Sequence, residues 1–193
     1  MQTCFTGDTL VAAENGQKRI DEIEVGDKVW AFNVETGEAE LKTVTKVYVH
    51  AVNEVLHLYT DEGDIDTTAN HPFYVIGKGW VAAGDLVVGD EVFNLDGTTS
   101  VVLGSAIEKL DEPVLVYNLE VEDFHSYFVG CVPVLVHNYV ASSGNVYPEN
   151  IDYSYRDPNG HDYLYIHNNH PQGGIQPHTY FPSANRAQMV QFI

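Results

Sequence analysis

Hydrophobic residues between positions 28 and 136 fall into short runs rich in valine, isoleucine, threonine and aromatic residues, without long helical periodicity. The runs are Lys28–Val34, Leu41–Val49, Glu54–Thr60, Phe73–Ile76, Asp90–Leu95, Ser100–Leu103, Val114–Val121, Ser126–Val129 and Val132–Val136. Turn signals separate them at Glu14-Asn15-Gly16, Glu35-Thr36-Gly37, Asp61-Glu62-Gly63, Gly77-Lys78-Gly79 and Asp96-Gly97. Short strands divided by such turns predict an all-β domain over residues 1–138.

A degenerate repeat runs through the same region, because three segments return later in the chain in the same order. The pairs are Ile23–Val29 with Leu86–Val92, Glu54–Tyr59 with Pro113–Asn118, and His71–Val75 with His125–Val129. Three similarities in one order predict two related β subdomains with pseudo-two-fold symmetry. Each half then supplies one histidine at an equivalent position.

The charge balance is strongly acidic, with 28 acidic against 9 basic side chains and a formal net charge of −19. Most of the acidic excess lies in residues 1–138. Such a surface repels phosphate groups, so we expect neither nucleic acid nor an anionic membrane as a partner. No apolar run approaches the ~18 residues of a membrane-spanning helix. The first residues do not resemble a signal peptide, so we expect an exported chain to travel as part of a longer protein.

Composition changes after Asn138. Residues 139–193 hold 7 of 12 tyrosines, 5 of 8 prolines and 4 of 9 histidines, with few aliphatic residues. This predicts a loop-rich C-terminal extension, a fragment of cargo or toxin rather than an independent core. Its histidines at 161, 167, 170 and 178 are interpreted as part of a solvated polar loop region; the alternative is that His167 and His170 bind a metal or belong to a nuclease site. No metal site is predicted.

Four motifs carry reactive residues. They are Cys4-Phe5-Thr6-Gly7-Asp8-Thr9, Thr67-Thr68-Ala69-Asn70-His71, the segment 116–125 (VYNLEVEDFH) and Val134-Leu135-Val136-His137-Asn138. In this order they resemble the Hint fold of inteins, bacterial intein-like domains and hedgehog autoprocessing domains. The resemblance implies a Hint domain over residues 4–138, an upstream flank of residues 1–3 and a flanking segment of residues 139–193. It also implies a monomer without a cofactor, whose substrate is its own flanking segments.

The upstream motif places a nucleophile beside a peptide bond. The thiol of Cys4 can attack the carbonyl of Thr3 and convert the amide into a thioester. This shift needs a held geometry and an acid for the departing nitrogen. The family resemblance assigns that acid to His71 and a hydrogen bond at the site to Thr68.

The downstream motif allows a second cleavage. The carboxamide of Asn138 can close a five-membered succinimide on its own carbonyl and release the amine of Tyr139. His137 can polarise the scissile carbonyl, and the resemblance makes His125 the residue that assists this step.

Two departures from splicing inteins change the expected outcome. Tyr139 stands where splicing inteins carry Cys, Ser or Thr, and its rigid phenol, with a pKa near ~10, is a poor replacement. Asn118 occupies a place where many splicing inteins carry Asp, and an amide does not ionise. Both departures resemble type A bacterial intein-like domains and pretoxin Hint domains. We therefore expect single-turnover cleavage at one or both ends, with inefficient or no splicing.

Two other functions stay open at this point. A hedgehog-like domain would pass its thioester to an external nucleophile and would not need His137 and Asn138. A β-rich binding module could have lost catalysis. We expect Cys131 to be a buried small hydrophobic residue rather than a second nucleophile or a redox partner of Cys4.

Overall fold

The computed structural model describes residues 3–138, 151–156, 162–166 and 181–183. Contacts divide the chain into two compact units, Met1–Tyr139 and Val140–Ile193. In the described part of the first unit, the helical structure consists of two short 3-10 turns, Ile20–Glu22 and Ala83–Asp85. The rest is strand and turn, so the prediction of an all-β domain is confirmed.

Twelve strands of the first unit join in one sheet. They are β1 (Phe5–Thr6), β2 (Leu10–Ala13), β3 (Gly16–Arg19), β4 (Lys28–Asn33), β5 (Glu38–Thr60), β6 (Gly63–Thr67), β7 (Pro72–Val75), β8 (Gly79–Ala82), β9 (Glu91–Phe93), β10 (Thr99–Val121), β11 (Ser126–Val129) and β12 (Val134–His137). The predicted turns at residues 14–16, 61–63 and 77–79 connect β2 to β3, β5 to β6 and β7 to β8.

Strands β5 and β10 are each 23 residues long, whereas the hydrophobic pattern predicted two separate strands in each stretch. They pair antiparallel from Val44 opposite Val121 to Thr60 opposite Val102. Polar residues in the middle of each strand face solvent, and cross-strand hydrogen bonds rather than burial keep the backbone extended there. A register shift between Lys109 and Val114 accommodates Pro113, which has no N–H to donate.

The two halves repeat the same local structure around Asp27 and Asp90. Each carboxylate accepts the backbone N–H three residues before it, at 2.9 Å in the first half and 3.1 Å in the second. Each also pairs with a lysine, Lys18 in the first half and Lys78 in the second. These equivalent contacts confirm the predicted pseudo-two-fold relation between the halves.

Strands β1 and β12, the first and last described strands of the first unit, both enter its core. Phe5 on β1 lies opposite Thr67 on β6 and Tyr117 on β10. At the other end, Val136 on β12 lies opposite Phe73 on β7. The rings of Phe5 and Phe73 are fully buried and meet edge to face, with centroids 6.2 Å apart. The sheet therefore brings the segment after Cys4 and the segment before Asn138 to one apolar interior.

The second unit, taken by itself, contains a three-stranded antiparallel sheet of β13 (Ile151–Arg156), β14 (Asp162–Ile166) and β15 (Phe181–Ser183). The loops predicted for this extension lie outside the described residues. Across the described ranges of the chain, no helix has the length and apolarity needed to cross a membrane.

Candidate active site

The end of β6 holds the backbone of Cys4 on both sides. The N–H of Cys4 donates to Oγ1 of Thr68 at 3.0 Å. The Cys4 carbonyl accepts the N–H of Thr68 at 3.0 Å and the hydroxyl of Thr67 at 2.9 Å. Because the Cys4 nitrogen belongs to the Thr3–Cys4 peptide bond, this arrangement fixes the bond that the sequence predicts to be attacked.

The Cys4 thiol is almost inaccessible, with 1% of the residue exposed. Burial raises the pKa of the Cys4 thiol to about 12. The thiol is therefore protonated near neutral pH, and a thiolate can form only when a nearby base takes its proton.

His71 lies just before β7 and is fully buried. Its ring packs against Phe5, with ring centroids 4.1 Å apart. Neither ring nitrogen has a hydrogen-bond partner among the described residues. Burial, and after it the charge of His137, lowers the pKa of His71 well below the ordinary histidine value. The ring is thus neutral at pH 7, and burial disfavours its protonated form.

His137 and Asn138 stand at the end of β12. The His137 ring meets Trp80 edge to face, with centroids 4.9 Å apart. Burial, and after it the charge of His125, lowers the pKa of His137 to about 4. Asn138 is 3% exposed, and neither atom of its side-chain amide has a partner among the described residues. An unpaired buried amide is rare, because it costs its hydration without compensation, and such groups call for a functional explanation.

The His125 side chain is exposed, unlike that of His71 at the equivalent position of the first half. The backbone at Asp123 and His125 is left-handed, with φ of 64° and 49°. The His125 carbonyl, rather than its ring, contacts Asn138 by accepting its N–H at 2.6 Å. The exposed His125 is still near enough for its charge to lower the pKa of His137, and a role in the downstream step stays a prediction.

Asn118 on β10 contacts the upstream junction. Its Nδ2 donates to Oγ1 of Thr3 at 3.1 Å. Its Oδ1 accepts the Tyr127 hydroxyl at 2.7 Å and the Leu119 N–H at 2.9 Å. Asn118 therefore contacts the side chain of the residue that precedes Cys4.

Three residues that shape the site were not predicted from the sequence: Thr67, Tyr127 and Trp80. Thr67 precedes the predicted Thr68, but nothing local indicated that both hydroxyls would reach Cys4. Tyr127 offered a weak signal, since a tyrosine in a core strand needs a partner for its hydroxyl. Trp80 on β8 carried no signal, because its contact with His137 depends on the β7–β8 hairpin.

The prediction that Cys131 is buried was wrong. The residue is exposed and carries a free thiol. It lies in the turn between β11 and β12, and connecting turns face water because their backbone groups need it. Its carbonyl accepts Nε2 of Gln17 at 3.1 Å.

Several predicted features lie outside the described residues. They are Tyr139 and the tail histidines at 161, 167, 170 and 178. The functional borders at Cys4 and Asn138 stay predictions.

Comparison with known proteins gives consistent matches. The model of the pretoxin HINT domain family matches residues 10–139. A bacterial intein-like domain from Clostridium thermocellum is 44% identical, with a TM-score of 0.69, over 72% of this chain and 100% of that one. A DnaX mini intein from Spirulina platensis is 27% identical, with a TM-score of 0.58, over 70% and 99%. A DnaB intein from Synechocystis sp. PCC 6803, at 22% identity and a TM-score of 0.63 over 72% and 100%, shares the fold. No curated protein is a significant match.

Proposed function

Because the chain belongs to the pretoxin HINT domain family, whose intein-like members process themselves, we propose that it cleaves its own backbone at Thr3–Cys4 and at Asn138–Tyr139. One observation carries this proposal. The two junction residues, Cys4 and Asn138, are both buried. The fully buried ring of His71 packs against Phe5, next to Cys4, and His137 directly precedes Asn138; burial lowers the pKa of both histidines, so both are neutral at pH 7.

The upstream step is an N–S acyl shift. The Cys4 sulfur bonds to the Thr3 carbonyl carbon, the carbon–nitrogen bond breaks, and the thiol proton ends on the Cys4 nitrogen. His71 is the proton carrier in this proposal, since its ring is neutral, has no hydrogen-bond partner among the described residues and packs against Phe5, the residue after Cys4. Thr68 supports the departing nitrogen, because its hydroxyl already accepts the N–H of that nitrogen. The thioester then releases residues 1–3 to water or to an added thiol.

The downstream step is cyclisation of Asn138. Its Nδ2 bonds to its own carbonyl carbon, the bond to Tyr139 breaks, and a proton from Nδ2 passes to the leaving amine. The side-chain amide of Asn138 has no hydrogen-bond partner among the described residues, so no hydrogen bond has to break before it reacts. Neutral His137, next in sequence, carries the proton. Holding such an intramolecular attack in position can lower its barrier by about 7–11 kcal/mol.

Cleavage, rather than splicing, is the outcome proposed. Splicing needs a nucleophile after Asn138 to capture the upstream thioester, and Tyr139 is a poor one. The reaction is single-turnover and requires no cofactor. A buried asparagine amide also favours this proposal over thioester transfer to an external nucleophile, since such a transfer has no use for Asn138.

Intact-mass measurement of the full chain, incubated with and without dithiothreitol, tests the proposal. We expect a 139–193 fragment with a free Tyr139 amine, a 1–138 fragment ending in succinimide or its hydrolysis product, and thiol-dependent loss of residues 1–3. Cys4→Ala should abolish only the upstream loss, and Asn138→Ala only the downstream cleavage. Tyr139→Phe should leave the downstream cleavage intact. A fragment beginning at Tyr139 from the Asn138→Ala chain would identify ordinary proteolysis instead.

A further inference from the structure

We propose that Asn118, held by Tyr127, selects the residue that precedes the nucleophile, requiring a side chain that accepts a hydrogen bond at position 3. This inference deepens the proposed upstream cleavage and rests on it. Its basis is a buried chain of hydrogen bonds that runs from Tyr127 through Asn118 to Thr3.

The orientation of the Asn118 amide follows from its neighbours. The N–H of Leu119 lies 2.9 Å from one amide atom, and a backbone N–H can only donate. That atom is therefore the oxygen, which also accepts the Tyr127 hydroxyl at 2.7 Å. The NH₂ group must then face Oγ1 of Thr3, at 3.1 Å, so Asn118 is a donor and Thr3 its acceptor.

Water has little access to this hydrogen bond. Thr3 is 7% exposed, Asn118 4% and Tyr127 0%. An apolar side chain at position 3 would leave the amide N–H buried without this acceptor, and a buried unpaired donor is costly. A carboxylate at position 118 could only accept hydrogen bonds, whereas the NH₂ group of Asn118 donates one. The amide therefore favours a hydrogen-bond acceptor in the side chain at position 3.

The contact also bears on the reaction geometry. Oγ1 of Thr3 is bonded to Cβ, and Cβ is bonded to the Cα that carries the attacked carbonyl. Anchoring Oγ1 therefore restricts rotation of that carbonyl. On the other side of the same bond, Thr68 holds the Cys4 N–H. Asn118 and Tyr127 are therefore positioning residues, which keep the scissile peptide aligned without touching the reacting atoms.

A double-mutant cycle in the full chain tests the inference. Thiol-dependent loss of residues 1–3 is timed by intact mass for Thr3, Thr3→Val and Thr3→Ser, each with Asn118 and with Asn118→Leu. With Asn118, we expect Thr3→Val to slow the loss on the order of 10- to 100-fold, and Thr3→Ser to stay within about threefold. With Asn118→Leu, the Thr3→Val penalty should shrink to about threefold or less. An equal Thr3→Val penalty in both backgrounds would overturn the inference.

Further measurements separate a folding defect and a wrong function from a wrong inference. Release of residues 139–193 serves as an internal check, because a misfolded variant loses both cleavages while a positioning defect slows only the upstream one. Tyr127→Phe keeps the buried ring and removes only the hydroxyl, and it should weaken the discrimination between Thr3 and Thr3→Val. Undiminished discrimination in Tyr127→Phe would contradict the role of Tyr127. Absence of thiol-dependent loss in the unmodified chain would refute the proposed function, whereas loss insensitive to residue 3 would refute only this inference.

Discussion

At the residue scale, the Cys4 thiol and the rings of His71 and His137 are all uncharged in the resting protein. Burial holds the pKa of His71 well below the ordinary value and that of His137 at about 4, while it raises the pKa of the Cys4 thiol to about 12. All three groups are uncharged at pH 7. The proposed chemistry then needs only short proton transfers inside an apolar site, without the formation of a separated ion pair in the resting protein.

Replacing His71 removes the proposed proton carrier of the upstream step. His71→Ala should slow thiol-dependent loss of residues 1–3 by about 10²–10⁴-fold, the usual contribution of a positioned acid–base group. Time courses by intact mass measure this rate. His57→Ala is the control, because His57 lies on β5, where it pairs with Asp66 at 2.7 Å and Glu108 at 3.0 Å. Equal slowing by both substitutions would show a general loss of structure instead.

The pH dependence of the downstream cleavage is a second prediction at this scale. Since the pKa of His137 is about 4, its ring stays neutral throughout the range from pH 5 to 8. The rate of Tyr139 release should therefore show no histidine inflection in that range. Quenched time courses at half-unit pH steps measure the profile. An inflection near the ordinary histidine value of about 6.5 would instead implicate a histidine in a more polar setting.

At the scale of elements, the same turn structure occurs around Asp27 and around Asp90, but the two turns differ in burial. The side chain of Asp90 is 6% exposed and that of Asp27 is 32% exposed. Lys18 and then the Glu24 N–H lower the pKa of Asp27, so this carboxylate is charged at neutral pH. Each turn is also bonded to one of the long strands. The N–H of Val44 on β5 donates to the Asp27 carbonyl, and the N–H of Val102 on β10 donates to the Asp90 carbonyl, both at 2.8 Å.

This repeated element supplies its own control. Asp90→Ala should lower the free energy of unfolding by about 1–3 kcal/mol, because it leaves the Val87 N–H without its acceptor in a more buried turn. Asp27→Ala should cost less than about 1 kcal/mol, since water can replace the exposed carboxylate and its lysine pair contributes little. Urea denaturation of the Asn138→Ala chain measures both. A larger loss from Asp27→Ala would contradict the assignment of burial as the cause.

For the whole molecule, the buried titratable groups set a pH range of maximal stability. Above pH 9 the unfolded chain loses the Cys4 proton while the native state, with a thiol pKa of about 12, keeps it, so stability falls as pH rises. Below about pH 6.5, His71 and His137 become protonated in the unfolded chain but stay neutral in the native state, because burial lowers their pKa values. Stability therefore falls as pH decreases.

The two cysteines make the alkaline side testable. Between pH 8 and 10.5, the melting temperature should fall less steeply in Cys4→Ala than in the unmodified chain, because the buried thiol no longer contributes. Cys131→Ala is the matched control, since its thiol is exposed. Calorimetry of chains that also carry Asn138→Ala gives the slopes. A shallower slope in Cys131→Ala but not in Cys4→Ala would contradict the proposed linkage.

The sequence by itself determined the fold class, the relation between the halves and the candidate nucleophiles, because each depends on local information. Strand-length runs and turn residues act over a few positions, and the reactivity of Cys4 toward Thr3, or of Asn138 toward its own carbonyl, is a property of neighbouring groups. The order of the motifs then identified the family. These features could be predicted without knowing which residues meet in space.

Only the tertiary structure decided burial and hydrogen-bond partners, since these depend on residues far apart in the chain. Thr67 reaches Cys4 across 63 positions, and Asn118 reaches Thr3 across 115. The continuity of β5 and β10 likewise arises from their mutual pairing, which overrides the polar residues that predicted a break. His71 and His125 hold equivalent places in the repeat, yet one is buried and the other exposed. The physical reason is that a side chain's solvent and charge environment is set by packing across the sheet, which sequence neighbours do not specify.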